Sequence, residues 1–480
     1  MRKKDLGALV AVGLVSGLAA PMAAAPPVPT SAFFQSHREK LAGSLPPGFI
    51  AVFRSAPESN AGVRADSYRQ DSDFWYLTGL DEPNAIAVFH PGAPAESRFV
   101  LFVQPKDFAA EQWTGWRAGL EGAKKDYGAG QAYAVAEFWE RFPALSAAAQ
   151  TLTYGAPGDK EFQQRLLEAW NAGNTNAVSP RPAAEASPIL AGLRLIKDPV
   201  EQDLLREASR ISADAHKAAL RELAPGRHEY DLKAAMVGVC VSRGAARTAY
   251  PPIVASGRNS VILHHERDDR KLENGDIVVN DTGCEYSMYA ADVTRSYPVS
   301  GRFSPEQKMI YTIVLAAQRA GFAAVRPGTP FHEVHDATVR VVVDGLVKLG
   351  ILSGDRDEIF RTRDYQRFYP HGSSHWIGLN VHDAGSYGYP PGVARLERYS
   401  KAQTKLEAGM ALTVEPGIYI PERSTADPKW WNIGVRIEDT LLVTTTGMEC
   451  LSCGAPSEIA DVEKAIAAGR TQKDRTGKTN

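Results

Sequence analysis

Four carboxylates in this chain of 480 residues sit where carboxylates are costly. Asp281 closes the run IVVND and Asp292 stands in AADVTRSYPV, while Glu415 closes ALTVE and Glu438 stands in IGVRIED. Apolar neighbours predict that each is buried in a strand, and a lone buried carboxylate is strongly destabilising unless it is paired or bound to a cation. Between the two pairs runs HGSSHWIGLNVHDAG, with His371, His375 and His382. Four carboxylates and one neutral imidazole form a mixed oxygen and nitrogen set. It suits hard or borderline divalent ions, Mn²⁺ foremost, with Co²⁺, Zn²⁺ or Fe²⁺ as alternatives. A single catalytic ion does not need four carboxylates. Two ions about 3.5 to 4 Å apart, bridged by carboxylates and a hydroxide, would use all of them and would clamp both oxygens of a hydrolysis.

Simpler readings exist for each residue alone. A histidine in an apolar strand is usually a hydrogen-bonded core residue, and Glu438 could pair with Arg436 two positions earlier. Five such residues in three β segments are hard to satisfy pairwise. His371 and His375 have the spacing of a zinc-peptidase helix, but Gly372 stands where that motif needs glutamate. Cys284 as a nucleophile finds no activating base in its apolar hairpin turn.

The elements that must position these groups follow from periodicity. Residues 275–298 read as a hairpin: a strand over 276–279, a turn at Gly283, and a returning arm with Thr294, Ser296 and Val299. Further β segments are expected at 253–256, 368–382, 410–420 and 433–444. Helices are expected at 197–222, started by Asp198-Pro199, and at 230–243, 305–325 and 331–349, the last stopped by Gly350. Helices and antiparallel strands in separate runs argue an α+β catalytic domain over 190–465. Its two carboxylate-bearing strand pairs are alike, so two similar halves would bring the carboxylates together at the centre.

Ahead of it, residues 31–179 alternate a helix at 33–45 with short strands at 49–53, 85–89 and 99–103, a smaller α/β domain. The line YRQDSDFWYLTG within it has the composition of a packed domain edge. Residues 179–188, SPRPAAEASP, read as an interdomain linker. The polar residues 466–480 are expected to form a disordered tail.

The 54 basic against 56 acidic side chains leave a formal charge of -2, which argues against a nucleic-acid footprint. At the N-terminus MRKKD is a basic region, residues 6–18 are apolar, and Ala23-Ala24-Ala25 offers small residues for cleavage. Residues 1–25 therefore read as a secretory signal peptide, which predicts a periplasmic or secreted protein with no membrane span once it is removed. Of the four cysteines, Cys450 and Cys453 could close a local disulfide or stay as two thiols, and one CxxC is too few for structural zinc.

VVNDTGCEYSMYAADVTRSYPV, HGSSHWIGLNVHDAG, LTVEPGIY and IGVRIED closely resemble the motifs of the pita-bread metallopeptidases. YRQDSDFWYLTG and EQWTGWR resemble the N-terminal domain of the Xaa-Pro aminopeptidase (aminopeptidase P) branch. The resemblance covers essentially the whole chain after residue 25. It implies a pita-bread catalytic domain, two similar halves around a curved antiparallel sheet, that releases the residue before a proline at position two of a peptide. It also implies two ions, with Asp281 on one, Asp292 and Glu438 bridging, and His375 with Glu415 completing the second. A bridging hydroxide would attack the carbonyl before the proline. By the same resemblance His264 stands beside the metals, and His371 and His382 line the proline pocket and hydrogen-bond or shuttle a proton. Arg436 orients the cluster, and Asp66 and Trp113 help close the site, sometimes across the boundary of a dimer or tetramer. Ala291 and Thr440 depart from the usual pattern without removing a ligand, and an arginine that the N-terminal domain contributes to longer peptides has no clear match. The nearest rival is a dipeptide-only prolidase. A metal-free creatinase-like enzyme, or a non-enzymatic binding module on this fold, would be expected to have lost ligands.

Overall fold

The computed structural model describes residues 26–58, 68–156, 158–172 and 180–476. Residues 1–25, the expected signal peptide, and Asp66 lie outside them. No helix among the described residues is long and apolar enough to cross a membrane.

The N-terminal domain is built on one sheet of strands β1 (Phe49–Arg54), β2 (Ile86–Phe89), β3 (Phe99–Val103), β4 (Gln131–Ala134), β5 (Thr151–Gly155) and β6 (Ala183–Glu185). They lie in the order β4-β3-β2-β1-β5-β6, with β1 antiparallel to β2 and parallel to β5. Alternation along the strands sorts the core. Ile50, Val52, Val100 and Phe102 face helices α5 (Phe138–Ser146) and α6 (Lys160–Ala172), while Ala51, Phe53, Leu101 and Val103 face the other way. That second face meets α1 (Ser31–Ser44), α2 (Ser72–Thr78) and α4 (Gly119–Lys125), and its core runs on into the catalytic domain. Helix α3 (Phe108–Thr114) contributes no buried residue.

The segment read as a linker is structured. Its residues 183–185 form β6, parallel to β5, and α7 (Ser187–Leu195) follows at once. Backbone pairing, which needs no apolar side chains, makes the strand from a Pro- and Ala-rich sequence.

The catalytic domain opens with α8 (Pro199–Glu222). Asp198 caps it, its Oδ1 accepting from the amides of Val200 and Glu201, and Glu201 returns the bond to the Asp198 amide at 2.9 Å. Helix α9 (Glu229–Ser242) packs on α8, and α10 (Pro305–Ala324) packs on α11 (Phe331–Lys348), one helix pair for each half. The first half carries β7 (Arg247–Thr248), β8 (Ile253–Ser256), β9 (Ile277–Asp281), β10 (Cys284–Tyr286), β11 (Tyr289–Ala290) and β12 (Thr294–Pro298). The second carries α12 (Arg356–Thr362), β13 (Ala411–Val414), β14 (Gly417–Ile420), β15 (Ile433–Arg436), β16 (Asp439–Val443) and β17 (Met448–Cys450). Thr294 and Glu438 exchange backbone hydrogen bonds, at 3.0 and 3.4 Å, and so join the halves.

Several expectations change. The hairpin does not turn at Gly283: β9 pairs with β12, and between them β10 and β11 form a smaller hairpin that reverses at Ser287 and Met288, both at positive φ. Gly283 instead crosses the returning arm so closely that a Cβ there would lie 1.7 Å from the Ala291 carbonyl oxygen. Residues 368–382 are not a strand throughout. Only 373–377 run beside β13, through backbone bonds from Glu415 to Ser373, Thr413 to His375 and Ile377 to Ala411. Helix α13 (Ile459–Thr476) extends through most of the expected tail, because Val462 and Ile466 are buried one turn apart and Arg470 donates to the carbonyls of Val299 and Ser300. All four cysteines are in disulfides, Cys240–Cys284 and Cys450–Cys453, which rules out Cys284 as a nucleophile.

Candidate metal centre

The four carboxylates stand at strand ends. Asp281 ends β9 opposite Thr294, and Asp292 lies two residues before β12. In the second half the ladder β13–β16 closes at Val414 and Asp439, and β14–β15 resumes at Gly417 and Arg436. Glu415 and Glu438 fall in the break between, where Pro416 has no amide to donate. A strand end frees side chains from the pleat, so residues from three segments can turn toward one point.

Second contacts fix the arms. His216 on α8, fully buried and held neutral by burial with its pKa near 3, reaches the carbonyls of Thr282 and Val293, each at 3.1 Å. It thus pins both arms of the hairpin one residue from each aspartate. Thr440 accepts from the Asp292 amide and donates to its carbonyl, both at 3.0 Å. The departure noted at this position thus supplies a hydroxyl that anchors a carboxylate's backbone.

His375 joins the carboxylates. Its Nδ1 lies 3.0 Å from the Trp376 carbonyl and donates to it, so Nε2 carries the lone pair in the neutral ring. Nε2 stands 3.4 Å from Asp292 Oδ2, 3.7 Å from Glu415 Oε1 and 4.0 Å from Glu438 Oε1. A lone pair facing three carboxylate oxygens is repelled unless a positive charge lies between them. Asp292, His375 and Glu438 alone bring three ligand atoms within 4.8 Å of one another. Burial pushes the Glu415 carboxyl up to about 7, and burial with the Asp292 charge holds Glu438 well above the usual range. Burial also raises Asp281 in spite of Arg436. Without a cation to meet that lone pair, Asp292 and Glu415 raise the His375 ring, which burial alone would neutralise, to about 9, so that a second proton at Nε2 stands where a metal would bind. The centre is short of positive charge, and the donor set fits divalent cations.

Among the described residues Arg436 is the guanidinium that bonds a carboxylate of the centre. It donates from Nη2 to Asp281 Oδ2 at 2.5 Å, from Nη1 to the Tyr419 hydroxyl at 2.8 Å and from Nε to Thr294 Oγ1 at 3.2 Å. The Thr294 hydroxyl in turn donates a hydrogen bond to Glu438 Oε2 at 2.6 Å. Tyr419 lies 2.8 Å from His371 Nε2, and His371 Nδ1 donates to the Gly372 carbonyl at 2.7 Å. Burial, then the Arg436 charge, holds His371 neutral with a pKa near 3.

Tyr250 was not visible in the sequence. Its hydroxyl lies 2.6 Å from both Asp281 Oδ1 and Asp292 Oδ1 and links the two aspartates. An aromatic residue before two prolines reads only as a turn. The His382 ring meets the His375 ring edge-on with centroids 4.3 Å apart, and His375 is the main cause of its lowered pKa. His264 is exposed and lies close enough to act on both His371 and His382. Trp113 stands on α3 of the N-terminal domain with 77% of its surface exposed.

Comparison with known proteins yields matches along most of the chain. The model of metallopeptidase family M24 matches residues 203–445, and that of the aminopeptidase P N-terminal domain matches residues 34–154. The chain is 37% identical to a Xaa-Pro aminopeptidase of Escherichia coli over 445 residues, 92% of this chain and 98% of that one. It is 32% identical to the rat Xaa-Pro aminopeptidase 3, over 83% of this chain and 76% of the other. The solved structure of Pseudomonas aeruginosa aminopeptidase PepP is similar with a TM-score of 0.87 at 39% identity, covering 93% of this chain and all of that one.

Proposed function

Because the chain belongs to metallopeptidase family M24, with the N-terminal domain of aminopeptidase P, and is thereby a metallo-aminopeptidase, we propose that it releases the first residue of peptides whose second residue is proline. One observation carries the reading: Asp292, Glu415 and Glu438 converge on His375 Nε2, with Asp281 tied to Asp292 through the Tyr250 hydroxyl, and Arg436 offsets only part of their charge.

Asp281 would hold one ion, Asp292 and Glu438 would be shared, and His375 with Glu415 would hold the second. Mn²⁺ is the ion that this donor set favours. When bound, the pair supplies a water nucleophile active at neutral pH and an electrophile for the substrate carbonyl. The chain's own groups do the rest. Arg436 and Tyr250 keep Asp281 and Asp292 in register. His371 presents a neutral ring, its Nε2 turned to Tyr419, as the polar wall of the proline pocket. His382 makes no hydrogen bond to any described residue, so its ring is available to hold the proton that the proline nitrogen needs on leaving. An Xaa-Pro bond has no amide hydrogen, so a site that grips only the carbonyl and the ring is suited to it.

The signal-peptide pattern read in residues 1–25 and the two disulfides support a location outside the cytoplasm, where disulfides persist. The test is cleavage of an Xaa-Pro-Xaa tripeptide beside an Xaa-Pro dipeptide, before and after chelation. Tripeptide cleavage that chelation abolishes and Mn²⁺ restores is expected. Cleavage of the dipeptide alone would assign a prolidase, and turnover indifferent to the chelator would overturn the metal reading.

A further inference from the structure

The loop that carries His382 is gripped from outside the catalytic domain. Asp383, the next residue, is buried. Arg194 Nη2 donates to its Oδ1, and Lys197 Nζ lies 3.0 Å from its Oδ2. Both cations come from the stretch between the domains, Arg194 in the last turn of α7 and Lys197 just ahead of α8. The other arm of Arg194, Nη1, crosses to Asp73 Oδ1 on α2 of the N-terminal domain at 2.6 Å. Side-chain exposure is 4% for Arg194, 1% for Lys197 and 1% for Asp383, so water contributes little around Asp383, and Asp73, at 19%, is the partner that reaches solvent.

The N-terminal domain holds the same loop at two more points. Arg69 Nη2 donates to the Leu379 carbonyl at 2.6 Å, and the Ser72 hydroxyl pairs with the Asn380 side chain at 2.7 Å. Within the loop the Asp383 amide bonds the Trp376 carbonyl at 2.9 Å, next to His375. Residues 376–383 are thus closed on themselves, with His382 turned toward His375 and Asp383 toward the interdomain charges.

A buried ion network of this kind adds little net stability over apolar packing of the same volume, but it fixes geometry through directional bonds. We propose that Arg194 and Asp383 are positioning residues that set where the His382 imidazole stands over the metal centre, and that Asp73 makes this placement depend on the docked N-terminal domain. The inference rests on the reading of His382 as a residue of the reaction.

A mutant cycle separates the two. Arg194→Met leaves Asp383 neutralised by Lys197 while removing the fork, and Arg194→Lys keeps the charge but can serve only one aspartate. Turnover of a Xaa-Pro-Xaa tripeptide is read in the parent and in His382→Ala, with metal content measured in each. Arg194→Met is expected to lower kcat about tenfold with KM within about twofold and metal retained, and Arg194→Lys to recover part of the loss. In the His382→Ala background the same change is expected to alter kcat less than about twofold. Equal losses in both backgrounds, or no loss in the parent, would overturn the proposal. An unchanged kcat for His382→Ala alone would overturn the reading of His382 and the proposal with it. Should Arg194→Met fail to fold, Asp73→Asn, which leaves Asp383 paired, carries the same cycle with an expected loss of about threefold.

Discussion

Replacing Arg436 by lysine asks whether the metal centre needs a charge or a shape at that position. The guanidinium reaches Asp281 directly, Glu438 through the Thr294 hydroxyl and His371 through the Tyr419 hydroxyl. An ammonium at the end of a flexible, unbranched stem can re-pair with Asp281 but has no planar fork to meet the two hydroxyls as well. A hydrogen bond from a charged donor contributes about 1.5 to 3 kcal/mol, so losing the Tyr419 and Thr294 arms, with partial re-pairing, costs about 2 kcal/mol. If that loss falls on the transition state, kcat/KM drops about thirtyfold. The assay is tripeptide cleavage at saturating Mn²⁺, with elemental analysis of the same samples. Arg436→Met, which strips Asp281 of its counter-charge, is expected to cost about 3 to 5 kcal/mol and to lose metal. A lysine variant within about threefold of the parent at full metal content would refute the argument, since charge alone would then suffice.

Two further outcomes are expected. Asp439 accepts from fully buried Arg295 at 2.8 Å, from Gln318 at 2.9 Å and from Ser452 at 2.6 Å. Asp439→Asn leaves that guanidinium without its charge partner, so a loss of about 3 to 5 kcal/mol should lower the Tm of a chain of this length by about 3 to 5 °C, and a shift under about 1 °C would contradict the account. Asp71 is pushed up to about 6 by burial and the nearby Asp73 charge. The folded chain therefore holds that proton more tightly than the unfolded chain does, and stability falls as pH rises from about 4 to about 6. Asp71→Asn should be more stable than the parent at pH 7 and equal to it near pH 4 in denaturant titrations, and a difference independent of pH would refute this.

The carboxylates were legible because burial of an acid in an apolar strand is itself a signal, and their convergence followed from two similar strand pairs. What escaped detection depended on contacts between distant segments. Arg194 and Asp383 are 189 residues apart, and neither lies in a pattern that names the other. Tyr250 looks like a turn residue until Asp281 and Asp292 close over it. Gly283 looked like the hairpin turn because glycine usually marks one. Here it is needed for a close crossing of two backbones, while the real reversal at Ser287 and Met288 uses residues that give no such mark. Residues 373–377 pair with β13, but the glycines and serines around them gave no reason to stop the strand where it stops.

Strand β6 decides where this molecule can be divided. Cut near residue 180, the front portion would lose its outermost ribbon and leave the hydrogen-bonding groups of β5 open to any passing chain, the usual route to sticky, self-associating fragments. Cut after Glu185, it would keep that ribbon but surrender Arg194 to the other piece, which would then carry Arg194 and Lys197 against the single Asp383 on a newly wetted face. No single point of scission leaves both pieces whole, so the two portions are expected to travel through evolution as one unit.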